Sequence, residues 1–226
     1  MIHPSYLATT VGLCLALFGP ALLFTPAHKL LGKPERFATR MFELLFLWIL
    51  AGAIVAIVVF REELPLSSIG LRLRWQSVVL GLLLALLFIR VVAPFLYWMI
   101  KKMGAPGFEG GLAKMVTMPV GFLLFAALSA GVVEETLYRG YAIERLASLT
   151  GSYWWAGLIS TTVFALLHWP MWGRGPVATF FVSGGLMALF YIGTQDLAAC
   201  MIAHAVTDAV GFITAHRAAR ASKKPS

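Results

Sequence analysis

Six ionisable side chains stand inside otherwise apolar stretches: Glu134, Glu135, Arg139, His168, His204 and Asp208. Glu135 and Arg139 are four residues apart, as are His204 and Asp208, and side chains at that spacing share a helix face. Glu134 points about 100° away from Glu135 on an α-helix and finds no partner on its own segment. A carboxylate in a watery pocket can take a proton from water, with a histidine or a metal ion orienting that water. A second histidine and a neighbouring hydrogen-bonding group can stabilise the oxyanion formed when water adds to an amide. Alternatively, Glu134, His168, His204 and Asp208 could serve as ligands of Zn²⁺, which would itself lower the pKa of a bound water. Both routes end in hydrolysis, and the residues alone do not choose between them.

The segments that must position these groups read as membrane helices. Of 226 residues, 60% are hydrophobic and 12% charged, against about 25% charged in a soluble domain. Apolar runs of span length cover residues 6–24, 41–60, 77–100, 119–149, 153–168, 177–192 and 197–215, and no strand alternation competes with them. The expected fold is an all-α, polytopic membrane bundle of about seven transmembrane helices, within a range of six to eight. Residues 1–226 are read as one integral membrane domain. A half-span within residues 103–118 would change the count. Pro119 is expected in the first turn of the fourth span, and Thr150-Gly151-Ser152 at its end. Pro65–Leu71 reads as a short surface segment, with Pro and Gly as breakers.

A charge at bilayer depth costs about 2.5–3.5 kcal/mol on insertion scales, so each such residue asks for a function or a partner. Counting about 1.5 Å per residue from the outer helix ends, Glu134 and His168 lie about 22 Å deep, Asp208 about 17 Å and His204 about 10 Å. They can share one layer, in the middle to inner half of the membrane. Glu135 with Arg139 reads as an ion pair that neutralises both, and Arg90 as a snorkelling or pocket-edge residue.

The net charge of +8 does not point to nucleic acid, because the basic residues are spread between apolar runs rather than gathered in a patch. Seven spans with the N-terminus outside put 12 of the Lys/Arg residues on one side and 4 on the other. That asymmetry predicts a cytoplasmic C-terminus in a cell membrane. Lys29, Lys33, Arg36, Arg40, Lys223 and Lys224 read as anchors, His3, His28 and His216 as surface groups. Trp154, Trp155, Trp169 and Trp172 fit interfacial belts, the last two also an entrance beside His168. Cys14 and Cys200 read as small buried hydrophobes. Ser129, Ala130, Gly131, Gly184 and Gly185 read as close-packing positions.

Glu134-Glu135-x-x-x-Arg139, Phe164-x-x-x-His168 and His204-x-x-x-Asp208 resemble, in order and on separate spans, the three motifs of the CPBP (CAAX protease and bacteriocin-processing, Abi) family of intramembrane proteases. The resemblance covers residues 119–212. It implies Glu134 as the base that activates water, His168 as its positioning partner, and His204 with Asp208 completing the pocket or the oxyanion site. Where the family often has Asn, this chain has Asp208, which cannot donate a hydrogen bond when ionised. Asp208 is then protonated, or binds a metal, or leaves the oxyanion to His204. The family includes enzymes described as zinc-dependent and as metal-independent, so the resemblance leaves the metal open. It implies membrane-associated peptides or lipid-modified protein tails as substrates.

Other functions fit less of the pattern. A rhomboid-type serine protease would need Gly where Phe181 stands before Ser183-Gly184, and leaves Glu134 and His168 without a role. A proton-coupled carrier could use the same carboxylates as a relay, but no inverted halves are visible. A non-catalytic immunity or scaffold protein would leave the hydrolytic spacing unused.

Overall fold

A computed structural model describes residues 4–31 and 37–222, with side chains from residues 6–22 and 37–222. The anchor and surface readings of His3, His28, Lys29, Lys33, Arg36, Lys223 and Lys224 fall outside the described side chains. Among the described residues there is no strand. Within them nine helices, besides a short 3-10 helix at Leu66–Ile69, follow one another: α1 Pro4–Leu31, α2 Phe37–Arg61, α3 Trp75–Lys102, α4 Glu109–Met115, α5 Val120–Thr150, α6 Tyr153–Leu167, α7 Trp169–Trp172, α8 Arg174–Thr194 and α9 Leu197–Ala221. Five of them, α2, α3, α5, α8 and α9, are long and apolar enough to cross a membrane. The shorter apolar stretch Tyr6–Leu22 lies in α1. α6 holds 15 residues, a rise of about 22 Å. In place of a half-span, residues 103–118 hold the single short helix α4.

α5 is the central post. Of its most apolar window 56% is buried, against 28% in each of the other four long helices, so it is the helix the others surround. α9 lies against both α5 and α3, α8 against α6, and α1 against α2. The α5–α9 approach needs a residue without a side chain. A Cβ on Gly131 would stand 2.7 Å from the backbone nitrogen of Ala205 and from the carbonyl oxygen of Met201, which is closer than backbone can yield. Gly131→Ala should therefore cost about 1–3 kcal/mol of stability by overpacking, read as a lower unfolding midpoint in detergent. Gly184 is likewise tight, with Arg139 Nη2 at 3.1 Å from its would-be Cβ, whereas Gly185 has only ordinary contacts.

Local chemistry sets the helix ends. Pro119 sits at the N-cap of α5 rather than inside its first turn. Gly151, at φ +68°, ends that helix in the left-handed conformation glycine tolerates. Asp196 caps α9 by accepting from Ala199 N at 3.0 Å. Within α5, Ala130–Ile143 is wound as a π-helix, bonded i to i+5, a form frequently found at functional sites. The 100° spacing assumed from sequence is therefore not the one found there.

Four expectations change. Pro65–Leu71 is not merely a surface segment, because Ile69 is wholly buried and Gly70 O accepts from Leu197 N at 3.0 Å. Cys14 is exposed while Cys200 is buried. Arg40 is buried and ion-paired with Glu43 at 2.9 Å, not an anchor in the headgroups. His216 is partly buried, and its Nδ1–H donates to Val116 O at 2.9 Å.

Around the C-terminal end of α2, a polar knot ties α1, α2 and α5 together. Glu62 accepts from Arg145 Nε at 2.9 Å and Nη2 at 2.7 Å, from Tyr141 OH at 2.8 Å and from Thr9 Oγ1 at 2.9 Å. Burial pushes the Glu62 carboxyl up, but those hydrogen bonds and the Arg145 charge outweigh it and leave it below its ordinary 4.5. A depressed carboxylate contributes stability that is complete above the unfolded value and is lost as pH falls through the folded one. Wild-type protein should thus lose stability below about pH 4.5 more steeply than Glu62→Gln, measured by unfolding across pH.

Candidate active site

A cavity of about 500 Å³ opens inside the bundle, bounded mainly by apolar side chains including Leu44, Phe88, Val92, Phe122 and Met187. Glu134, Glu135, Arg139, His168, His204 and Asp208 all line it. The structure thus gathers every site residue expected from sequence, from α5, the α6–α7 junction and α9.

His168 follows α6 at the turn into α7. Its Nδ1 lies 2.7 Å from Phe164 O. A carbonyl can only accept, so Nδ1 carries the proton, and in the neutral form of the ring Nε2 has a free lone pair. That Nε2 is 3.9 Å from Glu134 Oε2. Ring contacts with Phe164 at 4.4 Å and Phe180 at 4.1 Å fix the plane of the imidazole.

His204 is held from the opposite wall. Its Nδ1 bonds Glu135 Oε1 at 2.7 Å, and its Nε2 lies 4.0 Å from Glu134 Oε2 and 3.6 Å from Asp208 Oδ2. Glu135 therefore has two partners, since Arg139 Nη1 stands 3.1 Å from the same Oε1. The sequence showed the Arg139 pair and missed the His204 bond, because helix spacing reveals partners only within one segment. Arg139 also donates from Nη2 to Gly184 O at 3.2 Å and lies over the Phe164 ring at 4.4 Å. This ties α5 to α8 and α6. Oε2 of Glu135 and Nη1 of Arg139 make no hydrogen bond, so this pair is chiefly Coulombic. Glu134, by contrast, has no partner within hydrogen-bond distance among the described residues.

One further feature of the wall was not read from sequence, whereas Trp172 was expected beside His168. Arg40 and Glu43 line the same cavity, and their spacing of three on one helix was the available signal. Trp172 lines the cavity and meets Phe108 and Phe180, whereas Trp169 is exposed and stacks under Arg174.

The donor types suit zinc, but the spacing does not. Ligand atoms of tetrahedral zinc stand about 3.3 Å apart, from bonds of about 2.0–2.1 Å. The separations of 3.6, 3.9 and 4.0 Å are all wider. Among the described residues no three His, Cys, Asp or Glu side chains are placed to hold an ion. Two atoms about 4 Å apart are instead a span that one water can bridge with hydrogen bonds of about 2.8 Å.

No curated protein and no solved structure gives a significant match to the chain. A family model does match, and it supports intramembrane endopeptidase function in general terms. Residues 116–210, which carry all of these site side chains, match the Rce1-like family, described as Type II CAAX prenyl endopeptidase Rce1-like, consistent with the CPBP intramembrane proteases that the three motifs resemble.

Proposed function

We propose that this protein is an intramembrane endopeptidase in which Glu134 and His168 activate a water without a metal ion. The observation that carries the proposal is the placement of Glu134 Oε2 3.9 Å from His168 Nε2, two acceptors facing one another across a cavity. A water between them donates one hydrogen bond to each and directs a lone pair at a peptide carbonyl. As its oxygen bonds to the carbonyl carbon, its proton passes to Glu134. The carbonyl oxygen becomes an oxyanion, and His204, with Nδ1–H held by Glu135, presents Nε2–H to it when doubly protonated. Collapse breaks the C–N bond, and Glu134 returns the proton to the leaving amine. Asp208, beside His204 Nε2, offsets the imidazolium charge and leaves the oxyanion role to His204.

The substrates are membrane-associated peptides or lipid-modified protein tails that enter from the membrane or the cytoplasmic side, into a cavity with apolar walls. The basic-residue asymmetry orients the chain with its N-terminus outside and its C-terminus in the cytoplasm, in the cell membrane.

The test is cleavage of a peptide pool by purified protein, with products identified by mass spectrometry. Activity should persist after chelation, with metal well below one ion per chain. Loss on chelation with recovery on adding Zn²⁺ would replace this route by the zinc one. Ion flux without any proteolysis would replace it by the carrier.

A further inference from the structure

Arg90 lies near the middle of α3, about 22 Å from Trp75 and about 18 Å from Lys102 by helix rise. Its side chain is exposed, yet it is not among the residues lining the cavity, although Phe88, Ile89 and Val92 are. It therefore faces outward, amid exposed Leu86, Leu87, Val91 and Phe95, where a membrane would place hydrocarbon. Among the described residues no carboxylate pairs with it. Snorkelling falls short: the nearer edge of a hydrocarbon core about 30 Å thick is about 13 Å away, and an extended arginine side chain reaches about 7 Å.

The backbone is also altered at this point. Pro94 has no N–H to give the carbonyl of Arg90, four residues before it. Phe88–Val92 is a π-turn in which Phe88 O accepts from Ala93 N, a departure often found at functional sites. Among the described residues, a second copy of this chain supplies no mate. Among the described carboxylates, Glu43, Glu134, Glu135 and Asp208 face the cavity. Glu62 and Glu144 are tied to tyrosines, and Glu63, Glu109 and Asp196 lie at helix ends or in loops.

We infer that Arg90 and the apolar face around it dock a transmembrane helix of another protein that carries an Asp or Glu near mid-span. Guanidinium and carboxylate meet in paired hydrogen bonds, and each charge removes the other's cost in hydrocarbon. The surrounding Leu, Val and Phe side chains pack against the incoming helix. The inference concerns binding and does not rest on hydrolysis.

The experiment places purified full-length protein in phosphatidylcholine vesicles with a labelled Leu/Ala helix of about 20 residues, bearing either Asp or Leu at its centre. Energy transfer should report about tenfold tighter association with the Asp helix. Arg90→Leu should bring the two helices to parity, and Arg90→Glu should transfer the preference to a helix with central Lys. Thermal unfolding identifies which variants are folded. Equal association of both helices with wild type overturns the inference, as does an Asp preference that survives Arg90→Leu. Two other results also overturn it. Self-association lost in Arg90→Leu assigns the face to a second copy, and a preference confined to anionic lipid assigns Arg90 to headgroups.

Discussion

Glu134→Gln lowers kcat by about 10²–10⁴, with KM and unfolding temperature close to wild type, if Glu134 is the base. Gln has the same shape but cannot take the proton from water. The folded state should tolerate it, because Glu134 makes no contact shorter than the 3.9 Å to His168 and 4.0 Å to His204. Its side chain keeps 20% of its exposure, so a neutral amide there is not stranded. His168→Ala should fall by a similar factor, since it removes the lone pair that positions the same water. The double variant should be little worse than either, because groups that act as one unit are strongly non-additive. A kcat effect that multiplies in the double variant would mean the two residues act in separate steps.

Glu135→Ala, by contrast, should fail on stability, by about 3–5 kcal/mol, because it strands a buried cation. The Arg139 side chain is 3% exposed and Glu135 is its one acidic partner at 3.1 Å among the described residues. The same truncation frees Nδ1 of His204, losing the bond that orients it. Unfolding in detergent measures the loss, and little folded protein is expected at all. Glu135→Gln separates the two roles. It still accepts from His204 but carries no charge for Arg139, so it should be less stable than wild type and more stable than Glu135→Ala. A Glu135→Ala variant as stable as wild type would show that the ion pair does not hold α5 in place.

The bundle and the shared layer of Glu134, His168, His204 and Asp208 were legible in sequence, because bilayer length and hydropathy dictate both. The Glu135–Arg139 pair was legible for a related reason: four residues is a contact distance on one helix. Contacts between helices were not. Glu135 to His204 spans 69 positions and Glu62 to Arg145 spans 83, and nothing in either segment alone names the other. Arg40 was misjudged because it lies next to a basic run, although Glu43 follows it at pairing distance. The π-wound stretch of α5 was invisible too, since apolar periodicity does not distinguish i+4 from i+5 bonding. Arg90 was read as a snorkelling or pocket-edge residue. Its mid-span place follows from the run 77–100, but its place outside the cavity and without a carboxylate among the described residues appears only once the helices are assembled.

The central claim is that Glu134 activates the water that cuts a peptide bond. It is tested most directly by initial cleavage rates of wild type and folded Glu134→Gln on one peptide, purified and reconstituted side by side. The expected rate ratio is at least about 10²; equal rates would contradict a catalytic Glu134.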